Sequence, residues 1–251
     1  MRTSIWTGRP KSLARASFAS LLVVIACLAS MEDKAIQALH ARADENPDLN
    51  HVVSELAKGE AEFRTALDRY SYKRDWLVRT VNSGRVTGEF HRISQFYSSS
   101  DGKLLEKIIS FPQPTLKEVA ITREDLDNVS PANQFILQPA TSSKYKFSYA
   151  GKEQVDNADF FVSDVKPSGK EHLFHGRIWV RVKDLRIVKL RGKWVEQKDE
   201  QRFPVMEIHR MAVDGKYLFP SYAIADEELA FRTSHTHVRV EVHYTDYIMS
   251  Q

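Results

Sequence analysis

The sequence predicts an α+β protein in which helices cover one face of an antiparallel sheet of about nine or ten strands. Three observations lead to this prediction. An amphipathic helical stretch comes early in the chain, and a long series of segments with the two-residue period of β-strands follows it. Most connections between these segments are too short for parallel crossovers, so neighbouring strands are expected to be antiparallel.

The first thirty residues predict an export signal. Four basic residues and no acidic residue lie in the first fifteen positions, and the apolar run Phe18–Ala29 follows. The run is shorter than the about 20 apolar residues that a membrane span needs, and small residues separate it from the charged Glu32. This order is typical of a secretory signal peptide. We therefore predict a signal peptide over residues 1–30 and a single extracytoplasmic domain over residues 31–251.

The single cysteine, Cys27, has two interpretations that the sequence leaves open. The segment Val24–Cys27 resembles a bacterial lipobox, in which the cysteine becomes the lipid-modified N-terminus of the mature protein. Leu28 rather than an aspartate follows, so by analogy with the bacterial lipoproteins that this segment resembles, the lipidated form is expected in the outer membrane. In the other interpretation Cys27 is removed with the signal peptide. In both cases the mature domain has no disulfide and no free thiol for catalysis.

Composition and motifs exclude several classes of function. Four of the 36 basic residues fall in the predicted signal, which leaves 32 against 33 acidic residues and a mature chain close to neutrality. No basic block indicates a nucleic-acid partner. The glycine-rich nucleotide loops, the G-x-S-x-G nucleophile elbow and the H-E-x-x-H zinc motif are all missing from the sequence. We predict no enzymatic activity, no cofactor and no nucleic-acid partner.

Helical periodicity predicts two helices before the sheet and one within it. The segment Glu32–Asp44 is helix-prone, and a stronger helix is expected over Asp48–Leu67, where Leu56 and Phe63 belong to one apolar stripe. This amphipathic helix is the expected cover of the sheet. A third helix is predicted around Thr122–Gln134, with the Thr122 side chain as its N-cap and acidic residues in its first turn.

From Tyr70 the period of the sequence changes to two, so that Tyr72, Arg74, Trp76 and Val78 share one face of the first strand. The clearest hairpin turn is Asp214-Gly215. The further predicted strands are Gly88–Ser99, Leu104–Phe111, Tyr145–Gly151, Asp159–Pro167, Phe174–Val182, Arg186–Val195, Met206–Val213, Tyr217–Ala223 and Val238–Tyr247.

Three histidines on the last strand are candidate ligands for a zinc site. His235, His237 and His243 share one face, and three imidazoles at such positions can hold zinc. The opposite face, which includes Val240 and Tyr244, is apolar. The histidines therefore fit an ordinary polar outer face, and we predict no metal site. Two tryptophans, Trp179 and Trp194, alternate with charged neighbours. One interpretation is that they are aromatics at a sheet edge, and the sequence leaves their role open.

Several short motifs in the second half of the chain resemble one bacterial family. They are Tyr149–Glu153, Val165–Pro167, Phe174–Val180, Asp184–Lys189 and Gly215–Pro220. Together they resemble the outer-membrane lipoprotein-sorting superfamily, the group around the carriers LolA and LolB, and most of all its uncharacterised members.

The resemblance implies a half-open antiparallel β-barrel of about 9–11 strands, with helices over the open side and an apolar cavity between helices and sheet. In the family this cavity accepts acyl chains of lipids or lipoproteins. The resemblance thus implies a non-enzymatic protein of the cell envelope, located in the periplasm, for transfer or sorting. We expect a monomer that contacts membranes through its client or through a Cys27 lipid anchor. The alternatives are a sensing module of the same fold that binds a partner protein, and a metalloenzyme that uses His235 and His237.

Inward-facing positions of the predicted strands and helix give a candidate cavity lining. Arg74 shares the face of Trp76, so it either lies at the cavity mouth, where it meets a lipid head group or a carboxylate, or lies on the surface. Side chains at the same positions also fill the interior of ordinary small barrels, so a packed core is the competing expectation. The candidate lining consists of Leu56, Phe63, Tyr72, Arg74, Trp76, Val78, Ile178, Val180, Met206, Ile208, Val240 and Val242.

Overall fold

The computed structural model describes residues 47–99, 103–131, 137, 139–169, 173–195, 204–230 and 235–250. The predicted signal peptide, Cys27 and the predicted helix Glu32–Asp44 lie outside these residues, and the predictions for them remain predictions. None of the helices in the described part of the chain is long and apolar enough to span a membrane.

The predicted amphipathic helix is present as α1, Leu49–Leu67. It begins where the sequence places its cap, because the Asp48 carboxylate accepts hydrogen bonds from the backbone N–H groups of Asn50, at 3.0 Å, and His51, at 3.3 Å. Such a cap satisfies donors that have no partner within the helix. The apolar stripe of α1 is buried, including Phe63, so the helix covers the sheet as expected.

All ten predicted strands are present. Each lies in one antiparallel sheet with the order β3-β2-β1-β10-β9-β8-β7-β6-β5-β4, which is a meander whose last strand returns to pair with the first. The sheet is not closed, because β3 and β4 are its two edges. The strands are β1 (Tyr70–Asn82), β2 (Arg85–Ser98), β3 (Leu104–Ser110), β4 (Tyr145–Val155), β5 (Ala158–Pro167), β6 (Leu173–Arg181), β7 (Arg186–Val195), β8 (Met206–Val213), β9 (Tyr217–Ala230) and β10 (His235–Met249).

The connection between β3 and β4 crosses the open side of the sheet, because it joins one edge strand to the other. It contains the helix α2, Arg123–Asn128, and a short 3₁₀ helix. The predicted cap is present, since Thr122 Oγ1 accepts from the Asp125 backbone N–H and Asp125 Oδ2 accepts from the Thr122 backbone N–H at 2.6 Å. The prediction that this helix extends to Gln134 is wrong. Pro131 disfavours helical backbone at the residue before it, and α2 ends at Asn128.

A buried ion pair fixes α1 to β8. Arg210 Nη1 donates to Glu60 Oε1 at 2.6 Å, and Nη2 donates to Oε2 at 3.0 Å. Both side chains are almost fully buried, and the Arg210 guanidinium lies 4.7 Å from the centre of the Phe63 ring. The Phe63 ring in turn packs edge-on against Phe219 of β9, with ring centres 5.6 Å apart. Helix and sheet therefore meet through aromatic packing around one bidentate salt bridge.

Two glycines explain part of the motif that β6 carries. Gly176 of β6 lies directly opposite Gly192 of β7. A Cβ atom added at Gly176 would lie 2.5 Å from Gly192 Cα and 2.8 Å from Cζ of Phe174. The ring of Phe174, which is fully buried, therefore occupies the space that side chains at either glycine would need. The Phe-x-Gly part of the motif is thus a packing arrangement on the inner face of the sheet.

Candidate functional site

A cavity of about 370 Å³ lies between the concave face of the sheet and residues 118–129 of the crossing connection. Its wall combines side chains from β1, β7, β8, β9 and β10 with the connection and α2. The described residues that line it are Trp76, Val78, Glu118, Val119, Ala120, Ile121, Thr122, Asp125, Val129, Trp194, Pro204, Met206, Ile208, Ala223, Leu229, Val238, Val240 and Tyr244.

The chemistry of this lining is mainly apolar, with polar groups confined to the crossing connection, one tyrosine and the indole N–H groups of two tryptophans. Glu118 is exposed, whereas Thr122 and Asp125 are half-buried and use their hydrogen bonds to cap α2. Binding sites for small molecules are usually apolar clefts of about 300–1,000 Å³ with few polar groups. In size and lining, the cavity fits an apolar chain better than a polar metabolite.

Two side-chain hydrogen bonds tie the α2 region of the crossing connection to the sheet. Tyr244 of β10 donates its hydroxyl proton to the backbone oxygen of Val129 at 2.5 Å. Arg74 of β1 donates from Nη1 to the backbone oxygen of Leu126 at 3.4 Å. These two contacts come from neighbouring strands and hold the C-terminal half of α2 over the cavity. Removing either contact would loosen the cover without touching the sheet.

Five of the twelve predicted lining residues meet at the cavity. They are Trp76, Val78, Met206, Ile208 and Val240. The alternation of the strands predicted the inner face of each one correctly, because successive side chains of a strand point to opposite sides of the sheet.

The other seven do not line this cavity. Ile178, Val180 and Val242 face inward but are fully buried in the packed core of the sheet. Leu56 and Phe63 are buried on the face of α1 that packs against the sheet. The reason is that α1 packs tightly on the sheet, while the cavity forms under the crossing connection instead.

Tyr72 and Arg74 lie on the same inner face as Trp76, beyond the cavity wall. Tyr72 stacks on Phe96, with ring centres 4.9 Å apart. Burial raises the pKa of the Tyr72 phenol above its ordinary value, and burial does the same for Tyr247, whose ring centre lies 5.6 Å from that of Tyr72. Both phenols are therefore neutral at physiological pH.

The Arg74 side chain, whose location the sequence left open, is buried and does not lie on the surface. Its Nη2 lies 3.5 Å from Oε1 of Glu106, and the same carboxylate accepts from Nη2 of Arg92 at 2.7 Å. The Arg74 guanidinium also lies 4.6 Å from the centre of the Phe96 ring, at cation–π distance. Two arginines of β1 and β2 thus share one carboxylate of β3 on the concave face.

The interpretation of Trp179 and Trp194 as aromatics at a sheet edge is wrong. They lie on β6 and β7, which are interior strands. Trp194 is buried in the cavity wall and packs against Phe174, with ring centres 5.5 Å apart. Trp179 is half-buried, donates from Nε1 to Glu153 at 2.8 Å, and has the Lys189 ammonium 3.8 Å from its ring centre. The alternation with charged residues reflects opposite faces of interior strands.

Sequence reasoning missed several wall residues. Val238 and Tyr244 share the face of Val240 on β10, so strand parity alone could have found them. Val119 and Ile121 belong to an irregular segment without any period, and nothing in the sequence indicated that this segment covers the sheet.

The three histidines of β10 lie on the face opposite the cavity. His235 and His243 are exposed, and the His237 ring hydrogen-bonds Asp226 of β9. This bond, together with nearby Arg239, holds the pKa of the Asp226 carboxyl below its ordinary value. Within the described residues no group of three or more histidine, cysteine, aspartate or glutamate side chains is arranged to hold a metal ion.

Structural comparison finds likenesses to solved structures of the group that the sequence motifs resemble. One is a LolA superfamily protein from Nitrosomonas europaea, with 14% identity and a TM-score of 0.42 over 79% of this chain and 93% of that chain. A second is an outer membrane lipoprotein-sorting protein domain from Vibrio parahaemolyticus, with 14% identity and a TM-score of 0.39 over 78% of this chain and 93% of that chain.

A separate likeness is to the MucA/MucB complex of Pseudomonas aeruginosa, with 9% identity and a TM-score of 0.25 over 82% of this chain and 100% of that chain. No protein-family model and no curated protein matches the chain.

Proposed function

We propose that this protein binds acyl chains of lipids or lipoproteins in the cavity beneath the crossing connection. It acts in the cell envelope, where it transfers or sorts these molecules without catalysing a reaction. The observation that carries the proposal is an apolar cavity of about 370 Å³ walled by two tryptophans and aliphatic side chains.

The apolar wall of the cavity supports the proposal. Water against this wall finds few of the two to four polar partners that an ordered water usually has. An apolar occupant removes wall surface from water, which is favourable by about 25 cal/mol per Å².

An acyl chain suits both the wall and a transfer role. Burying a chain of roughly fourteen methylenes contributes about 11 kcal/mol, at about 0.8 kcal/mol each. Burial in a bilayer stabilises the acyl chain by about the same free energy, so loading and release can be nearly balanced. Around α2, the cover above the cavity is held to the sheet by side-chain hydrogen bonds from Tyr244 and Arg74. Elements held by few contacts open at low cost, and such an opening would give the chain access.

Filling the cavity tests the proposal. Ala223 lies in the wall and is 1% exposed, so an Ala223→Phe side chain will project into the space that the acyl chain needs. Displacing two or more buried methylenes at about 0.8 kcal/mol each predicts a loss of affinity of about tenfold or more. The melting temperature should stay the same or rise, because the new ring fills a void. The matched control is Ala212→Phe on an exposed position of β8.

Quenching of tryptophan fluorescence by a brominated acyl chain is a direct measurement of occupancy. The chain has four tryptophans, and a Trp6→Phe, Trp179→Phe background leaves only Trp76 and Trp194, both in the wall. We expect saturable quenching in this background, weakened by Ala223→Phe and unchanged by Ala212→Phe. Absence of saturable quenching, or equal weakening by both substitutions, would contradict the proposal.

Binding of a partner protein is the second candidate, and the edge strand β3 favours it. Leu104, Leu105, Ile108 and Ile109 are each 40% exposed or more. An exposed apolar edge strand is a ready template for an added strand of another chain. Native mass spectrometry of protein purified from membranes separates the two candidates. Bound lipid supports the acyl-chain function, and an empty cavity with a protein attached supports the second candidate.

Processing at Cys27 tests the proposed location. If Cys27 carries a lipid, Cys27→Ala will prevent its modification and move the protein from the membrane fraction to the soluble fraction. Globomycin, which blocks lipoprotein signal cleavage, should cause the unprocessed form to accumulate. The measurement is fractionation with mass determination of the mature N-terminus. A soluble protein with an N-terminus beyond Cys27, unaffected by either treatment, would instead indicate simple removal of the signal peptide.

A further inference from the structure

We propose that an arginine pair next to the cavity binds the anionic head of the ligand. The ligand is then an acyl chain that carries a carboxylate or a phosphate. The inference rests on the proposed function, because the tail of that ligand occupies the cavity. The head-group site consists of Arg74, Arg92, Ser94 and the indole N–H of Trp76, all on the concave face of β1 and β2.

The register of the strands brings these four residues together. Arg74 lies directly opposite Ser94, and Trp76 lies directly opposite Arg92. Residues directly opposite in an antiparallel pair have their side chains on the same face and in contact range. Trp76 is also part of the cavity wall, and the Arg74 guanidinium carbon lies 6.0 Å from its ring centre. The head-group site therefore adjoins the cavity.

The charge of the head-group site is unbalanced. Glu106 is the carboxylate that both Arg74 and Arg92 contact, and among the described residues neither guanidinium pairs with a second carboxylate. Asp125, in the cavity wall, accepts its hydrogen bonds from Thr122 instead. The Arg74 side chain is only 4% exposed, so solvent screens little of the excess positive charge. Two guanidinium groups thus share one carboxylate, and an anionic ligand would supply the second negative charge.

Unused hydrogen-bond donors point to the same place. Ser94 Oγ, Arg92 Nε and Trp76 Nε1 are buried, and none has a hydrogen-bond partner among the described residues. Buried polar groups are nearly always paired, so three exceptions at adjoining positions of one face indicate an acceptor that binds there. The forked N–H groups of arginine match the two oxygens of a carboxylate or phosphate.

The experiment compares chain-matched probes that differ only in the head group. Hexadecanoate, hexadecyl phosphate and hexadecanol are titrated into the full protein at neutral pH, with displacement of a neutral fluorescent probe as the readout. We expect both anions to bind at least about tenfold tighter than the alcohol. Arg92→Gln should remove most of this preference by weakening the anions and not the alcohol. The matched control is Arg79→Gln on the outer face of β1, where Arg79 pairs with Glu89 and Glu241.

A substitution of opposite sign separates recognition from a merely structural role. Glu106→Gln removes the carboxylate that competes for both arginines, so it should strengthen binding of the two anions and leave the alcohol unchanged. A structural role of the cluster predicts equal weakening of all probes by Glu106→Gln and Arg92→Gln.

The outcomes also separate this inference from the proposed function. Equal affinity for anions and alcohol, or an Arg92→Gln profile like that of Arg79→Gln, overturns the head-group site and leaves acyl-chain binding intact. Failure of all three probes to bind overturns the proposed function itself. A preference for hexadecanoate over hexadecyl phosphate would identify the head as a carboxylate, and the reverse preference would identify it as a phosphate.

Discussion

Glu60→Ala should lower the free energy of unfolding by about 3–5 kcal/mol, because it leaves Arg210 charged and buried without its partner. The pair is bidentate, with both side chains no more than 3% exposed, so solvent cannot replace the lost carboxylate. It also joins α1 to β8, so the loss should loosen the contact between helix and sheet. Urea denaturation followed by circular dichroism gives the measurement.

The same helix provides a matched control. Glu62 accepts from Arg186 Nη2 at 2.6 Å, but its side chain is 61% exposed, and exposed pairs contribute only about 0–1 kcal/mol. Glu62→Ala should therefore have little effect. The double variant Glu60→Leu, Arg210→Met should recover most of the stability, since apolar residues can replace a buried pair. Equal effects of Glu60→Ala and Glu62→Ala would contradict the importance of burial.

Gly176→Ala should destabilise the sheet by about 1–3 kcal/mol or more through overpacking. The added Cβ would lie 2.2 Å from the backbone oxygen of Arg191 and 2.5 Å from Gly192 Cα. These are backbone atoms of the paired strand, which cannot move aside as the end of a flexible side chain can. The ring of Phe174 is a further obstacle on the same side. Chemical denaturation of the purified variant measures the effect.

Gly169→Ala is the control for this prediction. A Cβ at Gly169 meets no atom within 4 Å, and the residue follows β5 in a bend. Surface substitutions of this kind usually stay within about 0.5 kcal/mol of the parent protein. If Gly176→Ala were as stable as Gly169→Ala, β6 and β7 would have to separate more easily than their close glycine contact indicates.

The strands and the main helix could be predicted because their signals are local. Alternation placed Trp76 and Val240 on the inner face, and the Asp214-Gly215 turn joins β8 to β9 as expected. The cap at Asp48 and the box at Thr122 also depend only on residues within one turn. The end of α2 was placed too far along the chain, because a helical pattern was extended across Pro131.

The candidate site could be predicted only in part, because a cavity depends on the distance between elements that are far apart in sequence. Ile178 and Ile208 have the same inward orientation, but only Ile208 lines the cavity. An inward-facing residue lines the cavity only where the crossing connection leaves a gap above the sheet. The connection over the cavity is irregular, so no period in the sequence indicated its position.

By itself, the sequence determined the succession of ten strands, the face that each strand turns inward and the helix that begins at Asp48. These follow from backbone geometry, which each residue shares with its immediate neighbours. Only the tertiary structure decided that Arg210 pairs with Glu60, that Arg74 and Arg92 share Glu106, and where the cavity lies. Such contacts join residues from separate elements, and they exist only after the sheet has curved and its covers have packed against it.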